Sequence, residues 1–170
     1  PVLRYAESKK TLFSPNWLPF TGMVDKINAI NPDVVHLHWI AGGMMRNEDI
    51  AKINAPIVWT LHDMWAFTGG CHYDAACGKY KNACGACPVL GSNNPKDLSA
   101  KVLQRKQASF HKHHSLTIIG LSQWLANEAK ASALFRQTSV VNLPNPIDTK
   151  LFAPSDKQQA RNLFNLPLNK

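Results

Sequence analysis

The chain has 170 residues, 45% of them hydrophobic, and 19 Lys and Arg stand against 11 Asp and Glu for a formal net charge of +8. Such a composition supports a buried core, suits one globular domain and excludes a disordered tail. The charge favours phosphates, nucleotides, nucleic acid or anionic membrane surfaces as partners, yet the cations are scattered through Lys9, Lys10, Lys79, Lys81, Lys101, Arg105, Lys106 and Lys112 and form no dedicated basic arm.

In chain order, Met23, Ile27 and Ile30 recur at helical spacing, and Asn31-Pro32-Asp33 is a turn signal before Val34-Val35-His36-Leu37-His38, a run fit for a buried strand. Ile50 and Ile53 mark a helix; Asn54-Ala55-Pro56 punctuates; Ile57-Val58-Trp59-Thr60-Leu61 is a second strand. This βαβ pattern implies parallel neighbours. From Gly69 to Pro95 periodicity vanishes and Gly, Asn, Pro and Cys dominate, a long loop of the kind that is functional or stapled. Leu98, Val102, Leu103 and Phe110 resume a helical stripe, and Leu116 to Leu121 reads as a third strand. Ser122 then caps a helix running through Trp124, Leu125, Ala129 and Phe135. Val140 to Leu143 makes a fourth strand, followed by a proline-rich exit through Pro144, Pro146 and Pro154 and a last amphipathic helix over Gln158 to Leu166. The pattern predicts an α/β, Rossmann-like three-layer fold with a mainly parallel sheet.

Inside the long loop the spacing Cys71-x5-Cys77-x6-Cys84-x2-Cys87 ends in a C-x2-C knuckle, which lets two thiolates point at one ion; the other two could complete a structural zinc site, with His72 as a substitute ligand. Two disulfides or four unconnected thiols are the competing readings. Either cross-link would pin a loop short of apolar surface. His36 and His38 lie two apart on a strand and share a face, as a metal pair or as hydrogen-bonded histidines packed under a helix. His62 ends a strand and is followed by Asp63, which could orient its imidazole or cap the next turn.

Three segments then carry a resemblance: Asn31-Pro-Asp-Val-Val-His-Leu-His-Trp-Ile40, Thr60-Leu-His-Asp-Met-Trp-Ala-Phe-Thr-Gly-Gly-Cys-His-Tyr73, and Cys84-Gly-Ala-Cys-Pro88. Together with Ser122-Gln-Trp-Leu-Ala126 and Leu143-Pro-Asn-Pro-Ile-Asp-Thr149 they resemble, in order, the amino-terminal domain of family 4 (group 1) glycosyltransferases, in the bacterial polysaccharide-assembly branch with a cysteine-bearing insert. The resemblance implies the amino-terminal, acceptor-holding half of a GT-B enzyme: residues 1–143 as a Rossmann-like domain with a Cys-rich insert at 69–95, and 144–170 as connector and start of a donor domain. It implies transfer with retention from a nucleotide-sugar donor to a saccharide or lipid-linked acceptor, with no catalytic metal. His62 is the position matching a family histidine near the transferred sugar, and Asp63 would orient it or meet the acceptor. Trp39, Trp65, His72, Tyr73 and Ser122 are candidate substrate-binding residues, with Phe67 in the same aromatic group; packing explains the aromatics equally well, and capping explains Ser122.

Two departures stand out. Pro146 replaces the glycine usual in the family's connector, and neither the first strand with its Gly-rich loop nor the donor domain with its paired glutamates is found, so the fragment alone is expected to be inactive. No apolar run approaches the roughly 20 residues that span a bilayer, and no secretory signal is visible. The opening at Pro1 suggests a processed or excised piece. The expected setting is the cytoplasm, with peripheral contact to the inner membrane face through the basic surface. Two other classes remain open: a zinc-stabilised basic nucleic-acid-binding module, weakened because cations and aromatics are not interleaved on one element, and a non-catalytic sugar-binding domain.

Overall fold

The β-branched runs assemble into one sheet. In the computed structural model, which describes residues 12–18 and 22–169, β1 (Val35–Leu37), β2 (Ile57–Leu61), β3 (Leu116–Gly120) and β4 (Ser139–Asn142) lie side by side in that order, each pair parallel. Lys9, Lys10 and the opening at Pro1 fall outside the described residues. Register sets Leu37 level with Trp59 and Leu61 level with Gly120, so the carboxyl ends of β1, β2 and β3 share one rim. The central strands are the most buried; β1 alternates, with His36 exposed, and β4 is largely open.

Helices α1 (Met23–Ile30), α2 (Leu98–Phe110) and α3 (Gln123–Ala131) flank the sheet, and α4 (Lys157–Leu163) follows it. This is an α/β fold with a parallel four-stranded sheet, consistent with a Rossmann-like domain of the GT-B type. Local chemistry starts the helices: the Asp97 carboxylate accepts the Ala100 N–H (3.2 Å) at α2, and the Ser122 hydroxyl accepts that of Leu125 (3.1 Å) at α3. A Cβ at Gly120 would lie 2.5 Å from the Ala126 backbone nitrogen, so only glycine lets α3 cross this close to the end of β3.

The main core centres on Trp59, Phe67, Phe110 and Phe135, with Phe110 edge-on to Trp59 (5.4 Å between centroids) and stacked on Phe135 (6.3 Å). Burying each such ring is worth roughly 1.5–3 kcal/mol relative to leaving it exposed. A second cluster, built from Phe13, Cys71, Cys87, Val89, Leu90, Leu98 and Val102, lies under the Cys-rich loop. The loop itself supplies Cys71, Cys87, Val89 and Leu90 to this cluster, and Phe13 and α2 supply the rest.

Several boundaries differ from expectation. Between β1 and β2 the chain forms a 3-10 helix, Asn47–Lys52, rather than an α-helix. The Asp49 carboxylate holds the Arg46 N–H (2.9 Å) and guanidinium, and Pro56 soon interrupts, leaving room for a short tight turn only. The helix after Ser122 stops at Ala131, because the Ser132 hydroxyl donates to the Ala129 carbonyl (2.6 Å) and accepts the Phe135 N–H (3.0 Å); buried Leu134 and Phe135 ride on the turn beyond it. After the sheet, residues 143–159 are exposed throughout, and α4 ends at Leu163 and buries no residue. Among the described residues, no helix is long and apolar enough to cross a membrane.

Candidate functional site

Three imidazoles line the rim. His38 and His62 each follow the last residue of their strands, β1 and β2, and His38 Nδ1 lies 2.9 Å from His62 Nε2. The His36 and His38 ring centroids are 4.4 Å apart, those of His38 and His62 5.2 Å. His36 Nε2 meets the Thr60 hydroxyl at 2.8 Å, and the Trp59 indole N–H donates to the His38 carbonyl, also at 2.8 Å, fixing the backbone there. His36 and His38 share a face, as strand alternation requires. All three rings are exposed, so the reading of two histidines packed under a helix is corrected. In the His38–His62 contact one nitrogen donates and the other accepts.

Asp63 turns the other way. Its Oδ1 accepts the Trp65 N–H (2.8 Å), and its Oδ2 lies 2.5 Å from His72 Nδ1, whose Nε2 lies 3.0 Å from the Ser14 hydroxyl. The neighbour that orients His62 is thus His38, and the carboxylate of Asp63 is committed to His72 instead. His72 is buried with both ring nitrogens engaged, which removes it as a substitute ligand for the cysteines.

The aromatic candidates divide. Trp39 (47% exposed) and Tyr73 (51%) face solvent, whereas Trp65 (2%) and Phe67 (0%) belong to the core. Trp65 donates its indole N–H to the Ser14 carbonyl (2.8 Å), and the buried Lys106 ammonium covers its ring at 3.8 Å, leaving no ring face for a sugar. Lys106 also donates to the carbonyls of Trp65 and Thr68. Burial pushes the Lys106 ammonium down to about 7, against the raising pull of Cys71, Cys84 and Asp63. Ser122 is exposed, and its hydroxyl serves the helix cap. Ser14, which holds His72, also lines an open cavity of about 340 Å3 with Trp17 and Gly43.

The Cys-rich loop meets the end of β2 through the His72–Asp63 contact and the Met64 N–H, which donates to the His72 carbonyl. All four thiols are free, and among the described residues no group of three or more His, Cys, Asp or Glu side chains is assembled as a metal centre. Burial pushes Cys71 up to about 12 and Cys84 up to about 11, and neighbouring sulfurs add to both shifts. At Asp97, burial raises the carboxyl, but the Ser99 hydroxyl and the N–H groups of Cys87 and Ala100 outweigh it and hold the group below the usual carboxylate range.

Sequence reasoning singles out His38 but does not join it to His62, and it misses Ser14 and Lys106. The His38–His62 contact follows from the alignment of two neighbouring strand ends and is legible once β1 and β2 are paired. Ser14 and Lys106 act across long stretches of chain, and no local pattern marks them.

Fold and rim define an α/β protein that presents ionisable and aromatic side chains at the carboxyl ends of parallel strands, where such proteins bind ligands. Over 66 residues the chain is 35% identical to a protein of Escherichia coli (strain K12) described as "Putative colanic acid biosynthesis glycosyl transferase WcaC", a match covering 36% of this chain and 16% of that protein. The likeness to a bacterial glycosyltransferase is therefore distant and partial, and the chain spans far less than two thirds of that relative. No protein-family model and no solved structure matches the chain.

Proposed function

We propose that this chain is the acceptor-side domain of a GT-B glycosyltransferase that uses a nucleotide sugar, with retention of configuration, to extend a saccharide or lipid-linked acceptor in cell-surface polysaccharide synthesis. The observation that carries the reading is the exposed His62 imidazole at the end of β2, oriented by His38; exposed Trp39 and Tyr73 directly follow His38 and His72 in the chain. The partial likeness to a glycosyltransferase supports it. Residues 1–143 form the acceptor domain, and 144–170 form the connector and the start of a donor domain that grips the nucleotide.

His62 hydrogen-bonds a hydroxyl of the transferred sugar as positive charge develops at the anomeric carbon, an interaction stronger in the transition state than in the ground state. Asp63 acts at one remove, by fixing His72 and the turn at Trp65 against which the rim is built. Trp39 and Tyr73 stack on sugar faces, and the net charge of +8 favours both the nucleotide phosphates and an anionic cytoplasmic leaflet. The test is His62→Ala in the full-length protein, assayed for sugar transfer from a panel of nucleotide sugars. A large loss of turnover with an unchanged melting temperature is expected, and unaltered kinetics would overturn the role.

A further inference from the structure

The C-x2-C knuckle is built by two residues with positive φ, Gly85 (140°) and Ala86 (44°), with the Ala86 N–H held by the Asn94 carbonyl at 2.8 Å. A Cβ on Gly85 would lie 2.2 Å from the Pro95 carbonyl oxygen, so only glycine lets this turn pack where it does. Next to the turn, Asp97 holds the Cys87 N–H at 2.8 Å while capping α2, which ties the knuckle to the start of a helix.

Cys71 and Cys77 approach the same place from the other side. All four cysteines line one cavity of about 10 Å3, room for one water-sized body or a bare ion. Backbone donors face the sulfurs: the N–H groups of Val89 and Leu90 at Cys87, and that of Gly69 at Cys84. Such donors stabilise an anionic sulfur more than a neutral thiol. Two ammonium groups complete the surroundings. Lys79 lines the cavity and donates to the carbonyls of Gly85 (3.0 Å) and Ala86 (2.6 Å), and Lys106 is buried beside Thr68. Asp74 also lines the cavity, with its carboxylate engaged by the N–H groups of Ala76 and Gly78.

We propose that Cys71, Cys77, Cys84 and Cys87 bind one zinc ion as a tetrahedral tetrathiolate that pins the Cys-rich loop to α2. Soft thiolates in a four-sulfur set select zinc over hard cations such as magnesium or calcium. Four S–H protons leave to solvent as four Zn–S bonds form, with no change of oxidation state. The complex carries two negative charges, which the ammonium groups of Lys79 and Lys106 offset. The four thiols are free and are not assembled as a metal centre, so binding requires the sulfurs to move inward around the frame of Gly85, Ala86 and Asp97. The site is structural and lies outside the histidine rim, so it stands or falls separately from the proposed transferase role.

The experiment is metal analysis of the full-length protein purified without chelator, followed by zinc-edge X-ray absorption. About one zinc per chain, with four sulfur neighbours at about 2.3 Å, is expected. Titration with a mercurial should release that zinc, and Cys84→Ser should lower the bound zinc at least about tenfold. If Cys84→Ser does not fold, the stoichiometry and sulfur count of the unaltered protein decide the matter. Metal-free protein with four alkylatable thiols, a mass showing disulfides, or bound iron in place of zinc would each overturn the proposal.

Discussion

The histidine rim and the Cys-rich loop adjoin each other and are built on opposite terms. His36, His38 and His62 stand in solvent on strand ends that the sheet ladder holds in place, so their rings depend on little beyond one another. The loop has no ladder; it is held by positive-φ turns, by Asp97 and by an apolar cluster that borrows Phe13 and α2. The rim can lose side chains without losing shape, whereas the loop takes its shape from its side chains.

Truncating the interior tests that contrast most severely. Phe67→Ala removes a fully buried ring set between Tyr80 and Phe135 and should cost about 3–5 kcal/mol in chemical denaturation. A loss under about 1 kcal/mol would show that the region around the loop collapses freely. At the rim, His62→Ala should lower turnover of the full-length protein by about 100-fold or more while leaving the denaturation midpoint in place. A large stability loss there would erase the distinction between the two regions.

Asp97→Ala should cost about 2 kcal/mol, since it removes a helix cap and orphans the buried Cys87 N–H. The native carboxyl is held below its ordinary range, so its contribution is complete above the unfolded value of about 4 and is lost as pH falls through the lower folded value. The gap between native protein and variant in urea melts should therefore narrow below about pH 4, and a gap independent of pH would remove the carboxylate from the account. The smallest effect belongs to His38→Ala, which leaves His62 present without its orienting neighbour. Turnover should fall about tenfold or less, with KM nearly unchanged, and a loss equal to that of His62→Ala would make His38 a substrate contact in its own right.

Strands were legible in the sequence because each announces itself locally: Ile57 to Leu61 and Leu116 to Gly120 are β-branched runs bounded by turn residues, and periodicity needs nothing from elsewhere. The Ser122 cap and the apolar stripe of the Leu98 helix were legible for the same reason, whereas the Asp97 cap was not read. The early stop at Ser132 was not, because a serine side chain competing for backbone groups leaves the apolar stripe running on to Phe135. At the candidate site, the position of His62 at a strand end was readable, but its partner was not: adjacency to Asp63 suggested one, and the paired strand supplied another. Trp65 was left between sugar contact and packing, because a tryptophan just beyond a strand reads alike whether it faces solvent or a buried lysine from α2.

Among the described residues the sheet has no hairpin. β2 and β3 pair along five residues each, yet everything from His62 to Ser115, cysteines included, is threaded between them. Closing so long an intervening segment before any ladder bond forms makes nucleation entropically expensive, and it delays assembly until much of the chain has been synthesised. Until then, the apolar edges of both central strands stand unpaired, so refolding at high protein concentration is a race between their meeting each other and their meeting a second molecule.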